Sequence, residues 1–142
     1  MIVQQPVRDT FRKSGLRHTR QRELVFVSLA SIASHPTAEE LHGLLTQSDS
    51  KISLATIYNT LDALVQSGLC RKLPSLAGGG ACRYDADLSS HVHVSTPRGE
   101  VMDVPTELSD RLLEGMDHRV LRDIEARLGI QVAGVSVQIV AK

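Results

Sequence analysis

The sequence Ser53-Leu54-Ala55-Thr56-Ile57-Tyr58-Asn59-Thr60-Leu61 predicts a short helix with two chemically different faces. Ser53 can act as the N-cap, because its hydroxyl can accept a free backbone N–H at the helix start. Apolar residues recur at helical spacing on one side, at Leu54, Ile57, Leu61, Leu64 and Val65. The other side carries Ala55, Thr56 and Asn59, with Tyr58 on the flank and no acid until Asp62. Such a face can enter a DNA major groove, although ordinary amphipathic surface helices share the pattern.

The composition is that of a globular protein. Apolar residues make up 42% of the 142 residues, enough for one or two small cores. No uncharged apolar run is long enough to span a bilayer, and no charged-then-apolar leader opens the chain. Two cysteines, Cys70 and Cys82, do not make a disulfide framework. We therefore expect a cytoplasmic protein with no membrane partner.

Charge is divided unevenly along the chain. Residues 1–84 hold ten Lys/Arg and six Asp/Glu, a net charge of +4, and residues 85–142 hold six and ten, a net charge of −4. Residues 8–22 concentrate the basic side chains of Arg8, Arg12, Lys13, Arg17, Arg20 and Arg22. Such a patch can neutralise phosphates, or it can be a solvated helix face. The division predicts a nucleic-acid-binding domain joined to a second domain.

Residues that typically start or end helices occur within this patch and after it. Gly15 breaks the first segment, and Thr19 is a candidate N-cap for the next helix. Thr37 and Glu40 have the spacing of a capping box, which predicts a further helix start. The Ser53 helix ends near Gly68, since glycine commonly terminates helices.

A β-hairpin is predicted over Leu69–Tyr84. Its strands are Cys70–Leu73 and Ala81–Tyr84, and its turn contains Gly78-Gly79-Gly80. Helices followed by such a hairpin predict a winged helix-turn-helix domain in residues 1–84. Its wing would be basic at Arg71, Lys72 and Arg83, which suits contact with a nucleic-acid backbone.

The rest of the chain predicts a polar hinge at 85–90 and a small α/β domain at 91–142. Strands are expected at His91–Val94, Glu100–Val104 and Val135–Ile139, and a helix at Thr106–Leu128 with Gly115 as a candidate break. Three short strands and one helix make too small a core to stand alone. We therefore expect an α+β protein whose second domain forms a homodimer, which would match a two-fold DNA site.

Five residues form a candidate metal site. His91 and His93 lie two apart on a predicted strand, so both imidazoles would point to one face. His35, Asp85 and Asp103 could complete a nitrogen and oxygen donor set suited to Fe2+, Mn2+, Co2+ or Zn2+. The same spacing also fits a half-exposed strand that binds no metal. Its two histidines would then bond to water or backbone, and the aspartates would be surface acids. If the site forms, its ligands come from both sides of the hinge, so metal binding would act as a conformational switch.

Several stretches, taken in order, resemble the ferric uptake regulator (Fur) family of bacterial metal-dependent repressors. They are Gly15-Leu16-Arg17…Thr19…Gln21-Arg22, His35…Thr37-Ala38-Glu39-Glu40-Leu41, Ser53-Leu54-Ala55-Thr56-Ile57-Tyr58…Leu61, Ser67-Gly68-Leu69, Arg83-Tyr84-Asp85 and His91-Val92-His93. The resemblance implies a dimeric regulator of AT-rich palindromic DNA, with one divalent ion per subunit and no small-molecule substrate. It places Tyr58 at the bases and the Arg17–Arg22 segment at the backbone. The candidate DNA-binding residues are Arg17, Thr19, Arg20, Arg22, Ser53, Ala55, Thr56, Tyr58 and Asn59.

Two positions resemble the peroxide-responsive branch of that family. Asp85 stands where iron-responsive members usually have glutamate, and Asn59 where they usually have arginine. His35, Asp85, His91, His93 and Asp103 then match the branch's five regulatory ligands, if one residue is missing near Pro97. The resemblance implies Fe2+ or Mn2+ in the cell, with Zn2+ able to bind in vitro. It also implies that peroxide reacts with bound Fe2+ and that the radical formed oxidises His35 or His91, which releases the repressor from DNA.

The sequence departs from the family at its structural zinc site. The first of the usual Cys-x-x-Cys pairs would fall near Ser95–Arg98, and the second is absent. We therefore expect no structural zinc. The family's accessory metal site would also be lost, because Ser90, Val92 and Val135 replace its usual ligands and leave Glu107 without partners.

Other functions remain as alternatives. An iron-, manganese- or zinc-uptake repressor of the same family would share these features. A small metal hydrolase or oxygenase would need an open coordination position and a general base, whereas five protein ligands leave little room. A metal-storage protein would need no recognition helix. We expect a regulator and not an enzyme.

Overall fold

The computed structural model describes residues 4–32, 34–49, 51–74, 81–86, 91–132 and 134–142. The chain divides into two compact units, Met1–Leu88 and Ser89–Lys142. The predicted glycine turn at 78–80 and residues 87–90 of the predicted hinge lie outside the described ranges. Within those ranges, no helix combines the length and apolar character needed to cross a membrane.

Four helices form most of the first unit. They are α1 (Gln4–Lys13), α2 (Arg20–Ser31), α3 (Ala38–Leu45) and α4 (Leu54–Gln66). All three predicted N-caps are present, because the hydroxyls of Thr19, Thr37 and Ser53 each accept a backbone N–H from the first turn. The Thr37–Glu40 capping box is complete in both directions. The helix starts therefore follow from local hydrogen bonding, as the sequence predicted.

The core of this unit is mainly aliphatic. α2, α3 and α4 pack their apolar faces together, and Phe11 from α1 is fully buried with them. The buried apolar positions of the predicted recognition helix are Ile57, Leu61 and Leu64. The opposite face of α4 is therefore left for other contacts, as the amphipathic pattern predicted.

The wing consists of β1 (Arg71–Leu73) and β2 (Arg83–Asp85), which pair antiparallel. β1 begins one residue later than predicted and ends as predicted. β2 begins two residues later and ends one residue later, so Asp85 belongs to β2 and not to the hinge. The reason is a second set of contacts, since Arg83 also bridges to Thr37 and the Tyr84 N–H donates to the Pro36 carbonyl at 3.0 Å. β2 is therefore tied to the loop before α3 as well as to β1.

The second unit contains a three-stranded sheet and two helices. Its elements are β3 (His93–Ser95), β4 (Val101–Asp103), α5 (Thr106–Glu114), α6 (His118–Leu128) and β5 (Gln138–Val140). The sheet order is β4-β3-β5, with β3 antiparallel to β4 and parallel to β5. The final strand was predicted at Val135–Ile139, but β5 covers Gln138–Val140, whose residues pair with His93–Ser95 of β3.

The helical segment predicted over 106–128 is interrupted at its candidate break, Gly115. The chain breaks after Glu114, and α6 restarts behind Asp117, whose carboxylate accepts the Arg119 N–H at 2.9 Å. An N-cap inside the predicted helix separates it into two, with Gly115 at the break. The second helix ends at Gly129, which adopts the left-handed conformation of a helix C-cap.

Apolar side chains of this unit are mostly uncovered. Among its described residues, the buried hydrophobic ones are Val92 and Val101. Large apolar side chains of the two helices are exposed in the single chain, at Leu108, Leu112, Ile124 and Leu128. Burial of such surface is the main driving force for association.

Candidate metal centre and nucleic-acid interface

Two histidines and one aspartate converge in the second unit. His93 and Asp103 are direct cross-strand partners on β3 and β4, and the His93 Nε2 lies 3.3 Å from the Asp103 Oδ1. His91 was predicted inside a strand, but it precedes β3. Its Nε2 also lies 3.3 Å from the Asp103 Oδ1. The two imidazole rings have centroids 4.3 Å apart. One ligand atom from each residue lies within 4.8 Å of the others.

A second histidine–aspartate pair lies in the first unit. The His35 Nδ1 is 3.6 Å from the Asp85 Oδ1, and both side chains are almost completely buried. His35 lies in the loop before α3, and Asp85 ends β2. Their approach depends on the contacts between this loop and β2, which the sequence did not predict.

The donor atoms of both groups are suited to a divalent metal ion. Imidazole nitrogens and carboxylate oxygens are common ligands of Fe2+, Mn2+ and Zn2+. The nearby thiol of Cys70 is different, because burial, and to a lesser extent the charge of Asp85, raises its pKa to about 12. Cys70 belongs to neither group, so the candidate donor set consists of nitrogen and oxygen atoms, and its metal-binding role stays a prediction.

The predicted recognition helix presents a small polar surface. Ala55, Tyr58 and Asn59 are exposed on α4, whereas Thr60 is buried. Ser53 and Thr56 are occupied in the cap, where the Ser53 Oγ accepts the Thr56 N–H at 3.1 Å and lies 2.8 Å from the Thr56 Oγ1. Two of the predicted DNA-binding hydroxyls therefore also fix the start of the helix.

Tyr58 has a partner that the sequence analysis missed. Its hydroxyl donates a hydrogen bond to the Glu39 Oε1 on α3, at 2.5 Å. This bond lowers the pKa of Glu39 and raises the pKa of Tyr58. The predicted recognition helix carries no acid before Asp62 in its own sequence, whereas Glu39 comes from the neighbouring helix. The packing of α3 against α4 is the signal that could have suggested it.

The predicted basic segment borders the start of α2. Arg17, Thr19 and Arg20 are exposed, and Thr19 caps the helix. Arg22 is half-buried, and its guanidinium donates to the Arg17 carbonyl at 2.8 Å. The DNA-binding role of all nine candidate residues stays a prediction.

Two further side chains support the histidines. The guanidinium of Arg83 donates to the His35 carbonyl at 3.0 Å, although we predicted that this residue contacts a nucleic-acid backbone. The buried Ser109 Oγ accepts the N–H of Val92 at 2.8 Å, between His91 and His93. A serine inside a predicted amphipathic helix gave no sequence signal for this role.

Comparison with known proteins identifies one family that this chain matches. The pattern of the ferric uptake regulator family matches residues 13–131. Over 95 residues, the chain is 35% identical to the peroxide-responsive repressor PerR of Staphylococcus epidermidis (strain ATCC 12228 / FDA PCI 1200). That match covers 66% of this chain and 62% of the repressor's length.

Solved structures show the same fold. The chain matches the Vibrio cholerae ferric uptake regulator with a TM-score of 0.68 and 22% identity, over 95% of this chain and 98% of that one. It matches the Campylobacter jejuni peroxide stress regulator with a TM-score of 0.66 and 24% identity, over 100% and 96%. These likenesses confirm the α+β architecture of a winged-helix domain followed by a small α/β domain.

Proposed function

Because the chain belongs to the ferric uptake regulator family, we propose that it is a metal-dependent transcriptional repressor that binds double-stranded DNA as a homodimer. The observation that carries the proposal is the placement of histidine–carboxylate groups in both units. One group contains His91, His93 and Asp103, and the other contains His35 and Asp85. A repressor of this kind would act in the cytoplasm and would have no enzymatic activity.

We propose that the five residues together bind one regulatory divalent ion per subunit. The predicted hinge at 85–90 would then separate a DNA-binding part, residues 1–84, from a dimerisation part, residues 91–142. Ligands contributed from both parts would make their relative orientation depend on the metal. No structural zinc is needed in this proposal, because apolar contacts between subunits would supply the stability of the dimer.

On the DNA side, α4 would read bases through Ala55, Tyr58 and Asn59, while Arg17, Arg20 and Arg22 would contact phosphates. The exposure of these α4 side chains and the net charge of +4 on residues 1–84 support this assignment. An AT-rich palindrome would suit two equivalent recognition helices in a symmetric dimer.

Peroxide sensing is the regulatory signal that we favour. The similarity to the S. epidermidis peroxide-responsive repressor and the use of Asp85 as the carboxylate support it. A bound Fe2+ ion would supply the electron that reduces peroxide. His35 and His91 would be the side chains oxidised, and loss of their nitrogen donors would weaken metal binding.

Gel-shift and mass measurements separate this function from its alternatives. We expect an AT-rich palindromic duplex to be retarded only when Mn2+ or Fe2+ is present. Peroxide should release the Fe2+-loaded form and add oxygen mass at His35 or His91, and it should leave the Mn2+-loaded form bound. An identical response of both forms, without a mass change, would instead favour an iron-, manganese- or zinc-uptake repressor. Turnover of a small molecule without DNA binding would indicate an enzyme.

A further inference from the structure

Strand β2 contacts His35 at two separate places. Arg83 and Asp85 are two residues apart on this strand, so their side chains lie on the same face. The Arg83 Nη1 donates to the His35 carbonyl at 3.0 Å, and the Asp85 Oδ1 lies 3.6 Å from the His35 Nδ1. One strand therefore holds both the backbone and the imidazole of a candidate metal ligand.

The backbone of His35 needs this support. Its φ angle is +50°, in the left-handed region that non-glycine residues rarely adopt. A conformation of this kind costs about 1–3 kcal/mol and persists only where surrounding contacts impose it. The contacts here are the Arg83 bond to the His35 carbonyl and the 3.0 Å bond from the Tyr84 N–H to the Pro36 carbonyl. The direction of the imidazole therefore depends on β2.

Arg83 also contacts the start of α3. Its Nη1 lies 3.1 Å from the Glu40 Oε2, and the same carboxylate oxygen accepts the Thr37 N–H at 3.0 Å. Thr37 returns the bond, because its Oγ1 accepts the Glu40 N–H at 3.1 Å. The side chain of Arg83 is only 14% exposed, whereas that of Glu40 is 52% exposed. A single guanidinium group thus joins the His35 carbonyl to the capping box of α3.

We propose that Arg83 is a positioning residue for the His35–Asp85 pair, and that it couples metal binding at this pair to the N-terminus of α3. The proposal rests on the function proposed above, and it assigns the coupling to one side chain. A metal ion bound to His35 and Asp85 restrains the loop that Arg83 contacts. The restraint reaches Glu40 through the guanidinium, and its neighbour Glu39 holds Tyr58 on the recognition helix.

Equilibrium binding of Mn2+ to the full chain, followed by the EPR signal of free Mn2+, tests this coupling. Residues that orient metal ligands change affinity by about 10- to 100-fold when removed. We expect Arg83→Met to weaken Mn2+ binding by about this factor. Arg83→Lys keeps the charge but loses the planar fork, so its effect should be intermediate.

Two further variants separate the coupling from the stability of the helix. Glu40→Gln keeps an acceptor for the Thr37 N–H, since glutamine also serves in a capping box, but it removes the charge that faces Arg83. We expect it to weaken Mn2+ binding less than Arg83→Met does. Arg119→Met is the matched control, because Arg119 contacts the capping carboxylate of another helix, Asp117, at 3.2 Å. This variant should bind Mn2+ as the wild type does.

Amide hydrogen exchange gives a readout that a purely structural arginine would not change. Mn2+ should slow exchange of the Thr37 N–H in the wild type and have no such effect in Arg83→Met. A lower melting temperature with unchanged Mn2+ affinity would overturn the inference. If Arg83→Met does not fold, Arg83→Lys decides, and wild-type affinity in that variant would overturn it. Wild-type protein that binds Mn2+ but does not respond to it in DNA binding would contradict the proposed function and leave this coupling intact.

Discussion

Tyr58 lies on the predicted DNA-binding surface of the protein and contacts an acidic residue. Its hydroxyl donates to Glu39, whose carboxylate is fully exposed beside a surface expected to approach phosphates. A negative charge in that place repels DNA phosphates and so opposes DNA binding. A structural role for the carboxylate would explain why it is there. The role that the geometry suggests is to hold the tyrosine ring in one orientation before DNA binds.

Variants of this pair should behave as one unit. We expect Glu39→Ala and Tyr58→Phe each to weaken binding to a selected duplex by about 2- to 10-fold, the usual worth of one hydrogen bond. The double variant should add little, because both changes break the same bond. Glu39→Gln is the control, since it keeps an acceptor and removes the charge. If Glu39→Ala and Glu39→Gln both tighten binding equally, Glu39 is only a repulsive charge.

Cys70 should be unreactive in the folded protein. Burial raises its thiol pKa to about 12, whereas an unfolded cysteine has a pKa of about 8.5. The native state therefore favours the neutral thiol, and this contribution to stability is complete below about pH 8.5 and is lost as the pH rises toward 12. At pH 8, iodoacetamide should modify Cys82 and spare Cys70 until the protein is unfolded. Equal labelling of both thiols in the native state would contradict this account.

At the scale of elements, α5 contacts the segment that precedes β3 through the Ser109 side chain. The Ser109 Oγ on α5 accepts the Val92 N–H, and the Val92 carbonyl accepts the Val104 N–H at 2.9 Å. Both polar backbone groups between His91 and His93 are therefore satisfied within this unit. The spacing of the two histidines relies on α5 as well as on the sheet.

Ser109→Ala should destabilise the protein by about 1–3 kcal/mol, because it leaves the buried Val92 N–H without its acceptor. Chemical denaturation measures this change. The matched control is Ser136→Ala, an exposed serine in the same unit, which should change the unfolding free energy by less than about 0.5 kcal/mol. Equal effects of the two substitutions would show that Ser109 has no special role.

Some boundaries of the helices could be predicted from the sequence, and other features could not. Helix starts at Ser53 and Thr37 were predictable, because a cap depends on residues within one turn. Gly115 marked a candidate break, but the new N-cap at Asp117 was not predicted, since the apolar pattern continues through Met116. The contact of Arg83 with His35 joins residues 48 positions apart, and no local rule anticipates it. The candidate ligand residues were recognisable from spacing and family resemblance, but the residues that contact them were not.

At the scale of the whole molecule, the second unit leaves an apolar surface that one chain does not bury. Leu108 and Leu112 are four residues apart on α5, so they share a face, and both are more than 40% exposed. Leu128 on α6 is 66% exposed. Exposed leucines at this density are typical of a surface that pairs with another copy.

Leu112→Glu should therefore convert the dimer to a monomer, because a charge replaces an apolar side chain at the contact. Sedimentation velocity over a range of concentrations measures the shift. Glu114→Ala, an exposed position on the same helix, should leave the dimer intact. A wild-type protein that sediments as a monomer, or a folded Leu112→Glu variant that stays dimeric, would contradict the prediction.

The central claim is that ligation by the histidine–aspartate groups controls DNA binding. Fluorescence anisotropy of a duplex selected by the Mn2+-loaded protein from a random pool tests it, with metal-free and Mn2+-loaded protein compared at one salt concentration. Allosteric coupling of ordinary size predicts that Mn2+ tightens binding by about 5- to 150-fold in the wild type. The folded His93→Ala variant should show no tightening. Equal affinity of the wild type with and without Mn2+ would contradict the account.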